Sequence, residues 1–186
     1  MTSPLHEQPS VLDSLAWHAL TTVHARFARG GELARRYDPE VAGFAALRDG
    51  SAKAWAALAV LATPGELLLL TGTAPIGPPA DWTVEGGGPG YQMLLPELGP
   101  APDAELGTEG IRRLSADDTP RALALVKLTQ PGPFRPRTIE LGRYYGVFEN
   151  GELVAMAGER LQTPEYTEIS AVCTHPTARG RGLAAA

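Results

Sequence analysis

The alternation of apolar and polar positions is clearest near the carboxyl end of the chain. Residues 166–174 are rich in β-branched side chains, which favour a strand, and His175-Pro176 ends the run. A glycine-rich stretch, residues 179–182, follows, and the apolar residues 183–186 begin a helical pattern. Glycines between a strand and a helix N-terminus let backbone N–H groups approach an anion closely, and the helix dipole favours negative charge there. The pattern therefore predicts a phosphate-binding turn.

Upstream of that turn, the pattern predicts a short strand, a helix and a hairpin. Asp118 followed by Thr119-Pro120 is a strong helix start, because it places a cap before a proline in the first turn. Asn150-Gly151 between two apolar runs is the strongest short signal for a hairpin. The predicted elements are a strand at 111–114, a helix from 119 with Leu123, Val126 and Leu128 on its apolar side, a helical turn at 138–141, and strands at 144–148, 153–161 and 166–174.

The first half of the chain shows a different order, with helices followed by strands. Ser10 with Asp13 makes a start like a capping box, and Ser51 caps a second helix. The predicted elements are helices at 10–28, 37–47 and 51–62, a buried strand at 66–71, and short strands at 82–85 and 91–95 around a glycine-rich turn at 86–90. The sequence thus predicts an N-terminal α/β half at 1–98, a linker at 99–110 and a second domain at 111–186.

Bulk composition narrows the class of protein. The chain has 186 residues, 44% of them apolar, which suits one large or two small soluble domains. A net charge of −5 without a long basic run argues against a general nucleic-acid binder. No stretch approaches the roughly 18 apolar residues of a membrane span, and the start of the chain is unlike a signal peptide. One cysteine fits a reducing compartment, so we expect a cytoplasmic protein without a membrane partner.

The strand end and the glycine-rich turn together resemble a known family. Residues 179–184, Arg-Gly-Arg-Gly-Leu-Ala, are similar to the pyrophosphate loop of the GNAT superfamily of acyl-CoA-dependent N-acetyltransferases. Residues 110–186 also follow the first half of that family's element order. The resemblance implies an α+β fold with a mixed, mostly antiparallel central sheet flanked by helices. The two-part organisation resembles the glycine N-acyltransferase-like branch, in which a degenerate GNAT-like half precedes the catalytic half.

The resemblance implies acetyl-CoA as the co-substrate. Backbone N–H groups at 181–184 would hold the pyrophosphate, with positive charge from two arginines, and the strand 169–174 would pair with the pantetheine arm. The strand's N–H groups would polarise the thioester carbonyl. The cofactor-binding residues predicted in this way are Val172, Cys173, Thr174, Arg179, Gly180, Arg181, Gly182, Leu183 and Ala184.

A second interpretation of the same letters stays open. Gly180, Gly182 and Ala185 also fit the loosest dinucleotide fingerprint. That fingerprint belongs to the first turn of a βαβ unit, with an acidic residue about 20 positions later. Here the turn follows a series of hairpin strands. Because CoA and dinucleotides both carry a pyrophosphate, the loop alone does not separate them.

The resemblance also suggests the catalytic groups. Glu168 lies eleven residues before Arg179, the spacing of the general-base glutamate in histone-type members, and strict alternation would place it on one face with Tyr166, Ser170 and Val172. A half-buried carboxylate beside a cleft suits a base. Glu159, on the preceding strand, is the second candidate, acting directly or through a water. Phe134, in the proline-rich loop 130–136, is predicted as a wall of the acceptor site.

Cys173 has two interpretations. A single cysteine in a strand is usually a small apolar side chain of the core. An acyl-cysteine intermediate would need a base, and His175 lies two residues further on. We predict no metal site; His18 and His24, six residues apart, do not share a helix face.

These observations predict transfer of an acetyl group to a primary amine of a small molecule, by direct attack with a glutamate base. A non-catalytic acyl-CoA-binding module is the alternative. The sequence predicts no nucleic-acid partner and leaves a homodimer open. In the family, the group that protonates the thiolate follows the loop helix, so the chain is expected to be a fragment that stops at the cofactor loop.

Overall fold

The computed structural model of the protein describes residues 10–95 and 110–183. In chain order its helices and strands are α1 (Leu15–Thr21), β1 (Ala28–Gly30), β2 (Ala34–Tyr37), β3 (Ala45–Leu47), α2 (Ala52–Leu61), β4 (Ile111–Arg113), α3 (Thr119–Thr129), β5 (Tyr144–Glu149), β6 (Glu152–Gln162) and β7 (Thr167–Thr174). Within these residues the strands form two antiparallel sheets, ordered β1-β2-β3 and β4-β5-β6-β7. This is the predicted α+β class.

The first predicted helix is wrong beyond Thr21. The capping pair of Ser10 and Asp13 forms as expected, but it starts a 3-10 turn that leads into the short α1. The hydroxyl of Thr22 then donates to the His18 carbonyl at 2.6 Å, a local bond that competes with helix continuation. The chain turns so that the His24 side chain is buried, and it continues into a strand.

The helical segment predicted at 37–47 is also wrong. Those residues complete β2, turn, and form β3 in a three-stranded sheet. The strand predicted at 66–71 is reduced to one parallel bridge between Phe44 and Leu69. The strands predicted at 82–85 and 91–95 do not form, because these residues find no pairing partner among the described residues. The helix that begins after Ser51 is confirmed, with the Ser51 hydroxyl accepting from the Ala54 N–H.

In the second half the predicted elements form almost as expected. The hairpin at Asn150-Gly151 joins β5 and β6, and α3 begins with Pro120 in its first turn. On the predicted apolar side of α3, Leu123 and Val126 are partly buried and pack against the core beside the buried Ala122 and Leu125, whereas Leu128 is 53% exposed. Leu128 lies in the last helical turn, just before the left-handed Gln130 at which the chain leaves the helix.

The two halves share a hydrophobic core. Leu141 and Leu161 from the second half pack with Leu20 of α1 and its apolar neighbours. The Thr138 hydroxyl donates to the Val41 carbonyl at 2.7 Å, which ties the halves through buried polar groups as well. The predicted linker, 99–110, lies outside the described residues except for Gly110, so the domain boundaries stay a prediction.

None of the helices in the described part of the chain has both the length and the apolar character needed to span a membrane.

Candidate functional site

A bulge interrupts β7, the edge strand of the second sheet as described. Gly158 pairs with Ser170, and Met156 pairs with Cys173. Between these two pairs β7 advances by three residues while β6 advances by two, so β7 contains one extra residue. Ala171 adopts the left-handed conformation, with φ of 54°. The expected alternation from Glu168 to Val172 is therefore broken at this point. The bulge turns the strand locally beside an edge whose outward backbone groups can pair with an extended ligand.

Between β7 and the glycines, residues 175–178 form a tight turn. The His175 N–H donates to the Val154 carbonyl at 2.7 Å, and the His175 ring accepts from the Thr177 N–H. A 3-10 turn, Pro176–Ala178, follows, and Ala178 is buried against the sheet. These contacts fix the start of the glycine-rich turn relative to β7.

The turn itself has the backbone shape that glycine allows. Gly180 and Gly182 have φ of 77° and 76°, values that side chains with a Cβ disfavour. Open space surrounds Gly180. The Arg181 guanidinium pairs with Glu149 at 2.6 Å, and Leu183 packs on the sheet. Ala184 and the rest of the predicted helix lie outside the described residues.

Glu168, the first base candidate, is held by an arginine. Its two carboxylate oxygens accept from Nε and Nη2 of Arg160 at 2.8 and 2.7 Å. The side chains are 23% exposed for Arg160 and 29% for Glu168, so the pair is half-buried but reachable. The Arg160 guanidinium also lies 4.8 Å from the ring centre of Phe44, in the N-terminal half. Burial alone would lower the pKa of Arg160, but its hydrogen bonds to Glu168 outweigh burial and raise it.

Glu159, the second base candidate, accepts more hydrogen bonds than Glu168 does. It accepts from the Arg143 N–H at 2.7 Å, from the Arg143 guanidinium at 2.9 and 2.6 Å, and from the Gln162 amide at 3.2 Å. Burial alone would raise the pKa of Glu159, but the bonds from Arg143 lower it overall. Glu159 lines a cleft of about 360 Å³ between the two halves, together with His24.

The two carboxylates do not converge. Glu159 pairs with Ile169 across the β6–β7 ladder, whereas Glu168 is adjacent to Ile169 on β7 and so lies on the opposite face. A shared proton or a carboxylate dyad between them is therefore not a feature of this fold. Each has its own arginine partner.

Tyr144 is a buried polar side chain that the sequence interpretation did not include. It is 1% exposed, and its hydroxyl has no hydrogen-bond partner among the described residues. Its ring lies over Gly158, where any Cβ would overlap it, and its edge meets Phe134 with ring centres 5.5 Å apart. A glycine inside a strand often marks a close approach of another group. Gly158, within the predicted strand 153–161, was therefore the sequence signal that could have pointed to Tyr144. Phe134 is itself buried, behind Tyr144.

Cys173 is part of the core. Its side chain is 8% exposed and packs with the apolar residues beneath α3, and burial raises the pKa of its thiol. The groups that hydrogen-bond the Cys173 thiol are Thr129 and the Met156 backbone, whereas the His175 Nδ1 contacts the Thr177 hydroxyl at 2.7 Å. Because the Cys173 side chain is buried, a ligand at the edge of β7 could contact this residue only through its backbone.

The comparisons with known proteins agree with this arrangement. The family of FR47-like proteins matches residues 144–186, from the start of β5 through the glycine-rich turn. No curated protein matches the sequence. A crystal structure assigned as an acetyltransferase of the GNAT family, from Novosphingobium aromaticivorans DSM 12444, is 32% identical with a TM-score of 0.74. The match covers 95% of this chain and 77% of that one.

The dinucleotide interpretation needs a parallel βαβ unit, whereas the strands that lead to this glycine-rich turn are antiparallel. The fold and the order of strand and glycine-rich turn follow the expected layout, whereas the bulge in β7 was not predicted. The protein belongs to the GNAT family and has its acetyltransferase fold.

Proposed function

We propose that this protein is an acetyl-CoA-dependent N-acetyltransferase that acts on a primary amine of a small molecule. The observation that carries the proposal is the bulged edge strand β7 leading into an open turn with two left-handed glycines. An extended pantetheine arm can pair with such an edge, and a pyrophosphate can accept from N–H groups of such a turn. Acetyl-CoA would supply the thioester.

The residues of the turn have separate roles in this proposal. Backbone N–H groups at 181–184 donate to the pyrophosphate, and Gly180 and Gly182 give the turn its shape. The edge backbone of Val172, Cys173 and Thr174 pairs with the pantetheine arm. Arg179 adds positive charge beside the turn, while Arg181 steadies it through Glu149.

The chemistry then requires two protons to leave the acceptor's nitrogen. The ammonium gives one proton to a base, the neutral nitrogen attacks the thioester carbonyl carbon, and the carbon–sulfur bond breaks. The nitrogen then loses a second proton, the CoA thiolate gains one to become the thiol, and the amide is left as the other product. We assign the base to Glu168, which lies three residues before the bulged Ala171. Each Glu168 oxygen accepts one hydrogen bond from Arg160 and keeps a further lone pair for the acceptor's proton. Glu159 remains the second candidate.

The N-terminal half has a supporting role in the proposal. It packs against the second half through a shared core and places Phe44 on Arg160. We infer that it corresponds to the degenerate half of the glycine N-acyltransferase-like branch. Cytoplasmic location and small-molecule partners remain part of this proposal, with a monomer and a homodimer both open.

The first experiment is a calorimetric titration of the chain with acetyl-CoA, with NADH as the comparison ligand. We expect binding of acetyl-CoA and not of NADH, and at least a tenfold weaker affinity in Gly182→Asp, since a carboxylate would repel the pyrophosphate. Gly65→Asp is the matched control, because Gly65 also has positive φ and open surroundings but lies far along the chain. Unchanged affinity in Gly182→Asp would contradict the site.

A non-catalytic acyl-CoA-binding module is the second candidate function. It is favoured by one specific observation: both glutamates that could act as bases are held in ion pairs. Release of the CoA thiol in the presence of a panel of amines separates the two functions. Acetyl-CoA binding without any thiol release would support the module.

A further inference from the structure

The cleft between the two halves has a lining that is fixed by hydrogen bonds from both of them. The Leu141 carbonyl accepts from Nε2 of His24, in the N-terminal half, at 3.0 Å and from the Gln162 amide at 3.1 Å. All three residues line the cleft, whose volume is about 360 Å³. Small-molecule sites occupy about 300–1,000 Å³. The cleft is therefore large enough for a small ligand, and its shape is set before any ligand binds.

The two carboxylates that line this cleft already have arginine partners. Glu159 pairs with Arg143 at 2.6 Å, and Glu140 pairs with Arg137 at 2.7 Å. Each of these pairs is close to neutral as a unit. Any further arginine in the lining therefore adds positive charge that no carboxylate of the cleft balances.

Two such arginines are present, one from each half. Arg26 and Arg113 both line the cleft, and neither forms an ion pair within the part of the chain that the structure describes. The partners of Arg26 are neutral: the Glu140 carbonyl at 3.4 Å and the ring of Phe27, whose centre lies 4.6 Å away. A guanidinium group donates in a fixed fork that matches a carboxylate or a phosphate.

We propose that this cleft is a binding site for a small dianion, held by Arg26 from one half and Arg113 from the other. A pair of carboxylates and a phosphate group are the two chemistries that supply such charge. Glu159, in the lining, and Glu168 lie on opposite faces of the sheet, so the site is separate from the proposed base. The ligand needs no amine and is not a substrate of acetyl transfer.

A dianion bound in this way links the two halves. Its negative groups would contact one arginine of each half and offset the positive charge that both bring to the cleft. Because the ligand binds only when the halves are packed together, it should stabilise the folded protein. Binding is therefore expected to raise the thermal midpoint.

The test compares ligands of different charge at constant ionic strength. Succinate and inorganic phosphate supply the two kinds of dianion, and succinamide has the length of succinate without its charge. None of the three carries an amine that could be acetylated. We expect at least one dianion to bind roughly tenfold or more tighter than succinamide, as befits charge-assisted hydrogen bonds, and to raise the thermal midpoint. Titration calorimetry and thermal unfolding measure the two quantities.

Four variants make the test specific. Arg26→Met and Arg113→Met each remove one exposed guanidinium group and should each weaken dianion binding roughly tenfold while leaving the fold intact. Arg48→Met is the matched control, because Arg48 is also exposed, forms no ion pair among the described residues and lies outside the cleft. Gly182→Asp, in the glycine-rich turn, should leave dianion binding unchanged.

Each outcome decides for or against the site. Dependence on both cleft arginines supports it, and the dianion that binds identifies the ligand as a dicarboxylate or a phosphate. Neither dianion binding better than succinamide would overturn it, as would an equal loss in Arg48→Met. Phosphate binding that is lost in Gly182→Asp and kept in the two cleft variants would assign the anion to the turn instead. These measurements do not involve acetyl transfer, so the site can fail while the proposed function stands.

Discussion

Glu159 and Glu168 lie on adjacent strands and each pairs with an arginine, yet their surroundings differ. Glu159 accepts four hydrogen bonds, one of them from a backbone N–H, and its side chain is 11% exposed. Glu168 accepts two, both from one side chain, and is 29% exposed. A carboxylate with many fixed donors is part of the scaffold, whereas one with a single exchangeable partner can change partners during a reaction.

The largest expected effect comes from removing the carboxylate charge at Glu168. Glu168→Gln should lower kcat by roughly a hundredfold to ten-thousandfold, the usual contribution of a positioned base. Acetyl-CoA affinity and thermal stability should change little. Steady-state kinetics with titration calorimetry checks this, and an unchanged kcat would remove Glu168 from the mechanism.

Glu159→Gln should show the reverse profile. The amide keeps the shape but loses the charge that faces Arg143, so we expect a loss of about 1–3 kcal/mol in the free energy of unfolding. The expected change in kcat is small by comparison. Urea denaturation measures the first quantity. A large loss of kcat without loss of stability would exchange the roles of the two glutamates.

Crowding at Gly142 tests the Glu159 network without replacing the glutamate itself. A Cβ at Gly142 would overlap the Glu159 and Gln162 side chains, so Gly142→Ala should destabilise the protein by about 1–3 kcal/mol. Gly50→Ala, in open surroundings, is the matched control. Equal stability of both variants in urea would show that the Glu159 and Gln162 side chains can move aside at little cost.

The Glu159 pair should also give stability a pH dependence of known sign. The pKa of Glu159 is lowered in the folded state from its ordinary value of 4.5. Its contribution is therefore complete above that value and is lost as the pH falls through the folded-state pKa. The stability difference between wild type and Glu159→Gln should shrink in acid; a difference that grows in acid would contradict the assignment.

The smallest effect is expected at an exposed surface pair. Arg137 and Glu140 are 45% and 42% exposed, where solvent screens their attraction. Arg137→Met should leave the thermal midpoint and kcat/KM within experimental error. A clear destabilisation would mean that exposure alone does not distinguish the three arginine–carboxylate pairs.

Several elements were predictable because their signals are local. The cap at Ser51, the proline start of α3 and the Asn150-Gly151 hairpin each depend on residues within a few positions of one another. The first helix failed because His24 is buried between Tyr37 and the Leu141 carbonyl, partners far along the chain. The leucine run at 66–71 does not form the predicted strand because a strand needs a partner along its length, and among the described residues it makes a single bridge, to Phe44.

The candidate site also has a part that the sequence predicts and a part that it does not. The glycines, the arginines and the strand before them are visible in the sequence, and the prediction of a pyrophosphate site rests on them. The bulge at Ala171 is a property of pairing between β6 and β7, so strict alternation misplaced Val172 relative to Glu168. The partner of Glu168 could not be predicted either, because several arginines are close enough in sequence.

By itself, the sequence determined the family loop, the hairpin order and the residue types available for chemistry, because these depend on neighbours along the chain. The tertiary structure decided which carboxylate is fixed and which can exchange its partner. It also brought Phe44 of the first half onto Arg160 of the second, and buried the Tyr144 hydroxyl. Phe44 and Arg160 are more than a hundred positions apart, so only the packing of the two halves on each other brings them together.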